Sequence, residues 1–133
     1  MTPRHVLVSA AIVAGVLTMS PRQGTSPATK RAREVVALIN TATPPAIRAY
    51  VDSAFAGRMR SLPMSAHVDF FMGQREQSGG FDWVEVQEEA AGRTTALLKQ
   101  KLTGDYTAIA VQVEASPPYR IAAEFSRAKP HSR

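Results

Sequence analysis

Cysteine is absent from the 133-residue chain. That removes a disulfide framework, a thiolate metal site and a cysteine nucleophile together. Histidine is nearly as scarce: His5, His67 and His131 lie far apart, with no ligand spacing around any of them, so no metal site is expected. Aromatic residues make up only 7% of the chain, and acids are outnumbered by bases, eleven to sixteen. No apolar run reaches membrane-spanning length. The longest, Val6 to Met19, would rise roughly 21 Å as a helix against a hydrocarbon core of ~30 Å. The length suits one small domain and excludes a multidomain enzyme.

What the front of the chain does contain is a leader pattern. Arg4 and His5 precede the apolar run, which is broken only by Ser9, Gly15 and Thr18. This reads as a secretory signal over residues 1–24, cleaved near Ser20 or Gly15 or else kept as an anchor. The expected location is therefore secreted or periplasmic. Removing Arg4 and Arg22 leaves fourteen bases against eleven acids, so the net charge falls from +5 to +3. About 109 residues remain, enough for roughly 65% of the unfolded chain's surface to be buried around one core.

A single domain is expected over residues 25–126, followed by a polar tail, 127–133. Ser26-Pro27 can open a helix, the serine capping and the proline at the first helical position. Val35, Val36, Leu38, Ile39 and Ala42 then fall on one side of a 3.6-residue repeat, opposite Lys30, Arg33, Glu34 and Asn40. After Thr43-Pro44-Pro45 a second helix carries Ile47, Tyr50, Val51, Ala54 and Phe55 on one face, with Gly57 expected as its left-handed stop. A third runs from about Pro63 to Arg75, with Met64, Val68, Phe71 and Met72 as its stripe, before Ser78-Gly79-Gly80.

The period then changes to two. Phe81 to Glu89, Thr94 to Leu102, Tyr106 to Ala115 and Tyr119 to Ser126 have strand length and content, with short joins that suit an antiparallel meander. Alternation puts Val84, Val86, Ala96, Leu98, Leu102, Ile109, Val111, Val113, Ile121, Ala123 and Phe125 on one face. The other face receives Trp83, Glu85, Leu97, Lys99, Tyr106, Gln112, Glu114 and Glu124. The fold class is α+β, three amino-terminal helices packed on one face of a four-stranded sheet.

Several of these segments carry a resemblance. Asn40, the helix Ala46 to Phe55 with Arg48, Gly79-Gly80-Phe81, and Glu114 to Ile121 with Pro117, Pro118, Tyr119 and Arg120 resemble a recurring pattern. It belongs to the non-catalytic domain that precedes tail-specific, tricorn-like serine peptidase domains and some β-lactamase-like serine hydrolases. The match spans nearly all of residues 31 to 125. Tyr119 stands where that family often has histidine. The wider architecture is similar to nuclear transport factor 2-like or cystatin-like folds. The resemblance implies an accessory domain without catalytic residues or cofactor, partnered by a serine hydrolase domain or by itself. In the relatives a hydrolase domain follows the last strand, whereas this chain stops at Arg133, so either a stand-alone or a truncated member is expected.

Two residue sets resemble catalytic patterns but have plainer readings. Ser65, His67 and Asp69 are the residue types of a hydrolytic triad. On a helix, however, residues two apart point about 200° away from each other, so a cap serine and a solvated helix face are expected instead. Ser126 and Lys129 have the S-x-x-K spacing of β-lactamase-like nucleophiles, but they fall near the carboxyl end without companion motifs and read as a frayed tail. Arg58, Arg60, Lys99 and Lys101 form no dense stripe, so no nucleic-acid partner is expected.

Two functional readings remain. In the first, the chain is an interaction domain whose candidate interface is Trp83, Leu97 and Tyr106 on the open sheet face, unless a β-bulge near Gly80 turns Trp83 inward. In the alternative, a cone between helices and sheet binds a small ligand or supports isomerase-like chemistry through Tyr50, Asp52, Tyr106 and Glu114. Neither carboxylate of that set is forced into a dry site by its position in the pattern.

Overall fold

The computed structural model describes residues 26–129, so the expected leader, His5, His131 and the end of the expected tail lie outside the described residues. Three helices are followed by one antiparallel sheet: α1 (Pro27–Asn40), α2 (Pro44–Ala54), a short 3-10 turn (Met59–Ser61), α3 (Met64–Ser78), β1 (Phe81–Ala90), β2 (Arg93–Gln100), β3 (Tyr106–Val113) and β4 (Ile121–Lys129). The strands lie in sequence order, β1-β2-β3-β4. The domain is the α+β layer arrangement that the change of period predicts.

Capping chemistry starts the first two helices. Ser26 Oγ accepts from the Thr29 amide at 3.1 Å, and Thr43 Oγ1 from the Ala46 amide at 3.3 Å, each ahead of a proline in the first turn. The amino end of α1 is also tied to the sheet. Thr29 Oγ1 donates to Glu89 Oε2 at 2.6 Å and lies 2.8 Å from Thr94 Oγ1. A carboxylate at that helix end also meets the positive end of the helix dipole.

Gly57 does not stop α2. The helix ends at Ala54 because Phe55 turns extended and bridges Ile121 in parallel, while the Ala56 amide donates to the Ile121 carbonyl at 2.8 Å. A strand-like contact with β4 competes successfully with another helical turn. Gly79, in contrast, is a left-handed cap on α3, with φ 72°.

Asn40 is not a solvent-facing residue of α1. Its side chain acts as a short strand segment, accepting from the Phe81 amide at 2.7 Å and donating to the Phe81 carbonyl at 3.0 Å. Gly80 lies against it at φ 98°, and a Cβ there would come within 2.9 Å of Asn40 Oδ1. The asparagine and the glycine pair are thus one device that joins α1 to the start of β1.

The sheet departs from simple alternation at three places. On β1 the register passes from Trp83 opposite Leu98 to Glu85 opposite Leu97, leaving Val84 unpaired, and Gln87 is left out in the same way. On β4 Ile121 faces Val113 and Ala123 faces Gln112, leaving out Ala122. Each extra residue reverses the side to which everything beyond it points. Val84 and Phe125, expected inside, are therefore exposed, at 44% and 61%. Leu102 is exposed as well, because β2 ends at Gln100 and the residue belongs to the turn.

Trp83 moves the other way. It packs on the core, with the Arg33 guanidinium carbon of α1 4.2 Å from its ring centroid. The core itself joins Val35, Ile39, Ile47, Val51, Phe55 and Phe71 of the helical side to Leu98, Ile109, Val111 and Ile121 of the sheet. At ~1.5–3 kcal/mol for each fully buried large apolar side chain, this layer is the main source of cohesion.

Candidate functional site

The polar and ionisable groups that the sequence singled out are not gathered at one point. Tyr50 turns toward α1 and donates to Glu34 Oε1 at 2.9 Å. Burial and then the neighbouring Glu34 charge hold its phenol above the ordinary range. Glu34 also accepts from Arg31 at 2.9 Å, and Arg31 reaches the Pro118 and Tyr119 carbonyls at 2.8 and 3.0 Å. Desolvation pulls the Arg31 guanidinium down, but Glu34 outweighs it and the net direction is upward. These contacts clamp the β3–β4 connection to both helices. They account for the Pro-Pro-Tyr segment structurally.

Asp52 is exposed and lines a shallow cleft beside Arg60 and His67 at the end of α2. Tyr106 begins β3 on the face away from the helices, and Glu114 is exposed just beyond that strand. Of the expected interface, Leu97 and Tyr106 lie half-buried on this open face, whereas Trp83 lies on the helix side.

His67 corrects the expected solvated helix face. Only 5% of it is exposed, its ring meets Phe55 edge-on at 5.2 Å, and Nε2 lies 3.1 Å from the Met59 carbonyl. A carbonyl only accepts, so Nε2 carries the proton and donates. Ser65 and Asp69 are exposed on other sides of α3, and Ser65 makes no capping bond. Ser126 and Lys129 are not in a frayed tail either; both belong to β4. A strand cannot present them as the helix-opening serine and lysine of that motif.

Two surfaces stand out once these placements are made. The first is the sheet face that none of the described residues covers. Pairing places Leu97 and Thr95 beside Ala108 and Ala110, with Phe125 opposite Ala110 and Arg127 opposite Ala108. Asp82, Glu85 and Glu88 are exposed along β1 at one edge, while Arg127 lies on β4 at the other. The centre, from Leu97 and Thr95 to Ala108 and Ala110, is small and largely apolar; exposed Arg93 and Lys99 lie at the two ends of β2, the β1 edge carries acids and the β4 edge Arg127.

The second is a cleft of about 300 Å3 on the helix side, lined by Phe55, Met59, Leu62, Ala66, His67, Phe70, Phe71 and Glu124. Glu124 corrects the expectation of a wet position. The unpaired Ala122 turns it to the helix side, opposite the fully buried Val111. Burial pushes its carboxyl up to about 7. Alternation without a bulge could not have found it, since nothing in the local sequence marks Ala122 as extra.

Among the described residues no cluster of three His, Cys, Asp or Glu side chains could hold a metal ion, and no helix is long and apolar enough to cross a membrane. Comparisons with protein-family models, with curated proteins and with solved structures gave no match to this chain.

Proposed function

We propose that the chain is an exported, non-catalytic interaction domain that works by stacking its uncovered sheet face on that of a second copy. The observation that carries this reading is the open face itself: exposed Phe125 over Ala108 and Ala110, Val84 exposed toward the opposite edge, acids along β1 and Arg127 on β4. A large exposed aromatic in an apolar patch is the usual mark of a contact surface. Two sheets related by a two-fold axis parallel to their strands put β1 of each over β4 of the other. Acid then meets base twice, by symmetry. The other two-fold arrangement, with β1 over β1, would oppose acids and is disfavoured.

Export rests on the leader pattern of residues 1–24, and the accessory role on the resemblance to the domain that precedes serine hydrolases. Both support a binding rather than a turnover role. Sedimentation equilibrium on the chain without its leader tests the reading. A particle of twice the chain mass is expected, reduced to a monomer by Phe125→Asp with the helical circular dichroism unchanged. A wild-type monomer at all accessible concentrations would overturn the self-association, as would a dimer indifferent to Phe125→Asp. In the first case, binding of a serine hydrolase domain to the same face is the outcome that would replace it.

A further inference from the structure

The cleft around Glu124 is a different site, on the opposite side of the sheet from the proposed contact face. Its walls come from four elements. Phe55 follows α2, Met59 and Leu62 belong to and follow the 3-10 turn, Ala66, His67, Phe70 and Phe71 come from α3, and Glu124 comes from β4. The rings are arranged edge to face: Phe55 and Phe71 have centroids 6.2 Å apart and tilted, Phe70 and Phe71 5.3 Å apart and nearly perpendicular. Phe55 and Phe71, almost wholly buried, form the floor of the cleft, whereas Phe70 and Leu62 are exposed and form the mouth.

Into this aromatic cleft the strand delivers one acid. No hydrogen bond or ion pair to the Glu124 carboxylate occurs among the described residues, and no Lys or Arg lines the cleft. The other ionisable lining group is His67, whose Nε2–H is already committed to the Met59 carbonyl. Arg60 and Asp52 lie in the neighbouring cleft across His67, with Arg60 bonded to the Asp52 carbonyl at 3.1 Å. The carboxylate is half-buried and keeps contact with water at the cleft, so its charge is solvated on one side only and apolar groups crowd the other.

The ligand chemistry follows from what the cleft has and lacks. An anion is repelled by Glu124. A neutral apolar molecule would strip water from the carboxylate without replacing it. A cation relieves that cost and is attracted by aromatic faces as well. The volume is at the lower end of the roughly 300–1,000 Å3 of small-ligand pockets. We propose that this cleft binds a small organic ammonium ion with an apolar body, its charge against Glu124 and its body against Phe55, Phe70 and Phe71.

Three probes of one size and different charge test it: benzylammonium, benzyl alcohol and benzoate, titrated into the full chain and followed by amide chemical shifts. Benzylammonium is expected to bind at least about tenfold more tightly than benzyl alcohol, with benzoate silent and the largest shifts at Ala66, His67 and Glu124. Glu124→Gln, which keeps shape and folding, should erase the preference for the cation. Phe125→Asp, on the far face, should leave it intact and so separates this site from the dimer contact. Equal binding of cation and alcohol, no binding of any probe, shifts centred elsewhere, or a preference that survives Glu124→Gln would each overturn the proposal.

Discussion

Glu124 gives this domain a pH-sensitive carboxyl group on its helix side. Glu124 has its folded-state pKa raised to about 7 by burial, above the value it takes in the unfolded chain. The folded form therefore holds the proton more tightly. This favours the folded state fully below the unfolded carboxylate range, and the advantage is lost as pH rises toward and through about 7. Above that, the ionised group in the half-buried cleft opposes folding by something on the order of 1–3 kcal/mol. Urea denaturation at pH 8 should find Glu124→Gln more stable than the parent by such an amount, with the difference shrinking toward pH 5. A variant that is less stable at pH 8 would mean that the carboxylate is engaged by a partner in solution. Glu124 was not legible as an interior residue, because its neighbours alternate correctly and only the unpaired Ala122 reverses them.

At the scale of elements, sequence patterns were most reliable where a local chemical group decides a boundary. Ser26 caps α1, prolines open α1 and α2, Gly79 stops α3, and each of these was legible, whereas the cap that Thr43 supplies to α2 came only with the structure. They were least reliable where a contact distant in sequence decides. Phe55 leaves α2 for a bridge to Ile121, which no property of Gly57 announces. His67 is drawn inward by Phe55 and the Met59 carbonyl rather than by the apolar stripe of its own helix. Trp83 shows the same dependence, being placed by a bulge and then covered by Arg33 of α1. Since this is the chain's one tryptophan, its fluorescence reports the α1–β1 contact directly. Arg33→Gln should red-shift the emission and lower stability by about 0.5–1 kcal/mol, the scale of a cation–π contact at a partly exposed site. Unchanged emission and stability would mean that the guanidinium contributes nothing there.

For the whole molecule, the two faces of one sheet divide the work. The inner face is filled by α1, α2 and α3, and the outer face keeps an apolar patch around Leu97, Ala108 and Ala110, with acids on β1, Arg93 and Lys99 at the ends of β2 and Arg127 on β4. The fold class was legible because it needs only the order of periodicities, three helical segments and then four strands. The content of the outer face was not, because three extra residues redistribute side chains between the two surfaces. If the faces stack as proposed, dimerisation should weaken with salt, since its complementary charges are exposed. Arg127→Glu should weaken it further, and adding Glu85→Arg with Glu88→Arg to that variant should restore it. Sedimentation of the three proteins at low and high salt checks the order. Failure of the reversed set to recover association would rule out the β1-over-β4 arrangement.

Ala122 gives the scaffold an unusual route to change. Its neighbours Glu124 and Phe125 differ in every respect that matters to a binding partner, and which of them looks outward depends on the parity of the strand rather than on either side chain. Loss or gain of one codon in β4 would exchange a proton carrier for a lipophilic tooth on both surfaces at once. In such a protein, changes of length, more than changes of letter, are the events that rewrite what each side offers.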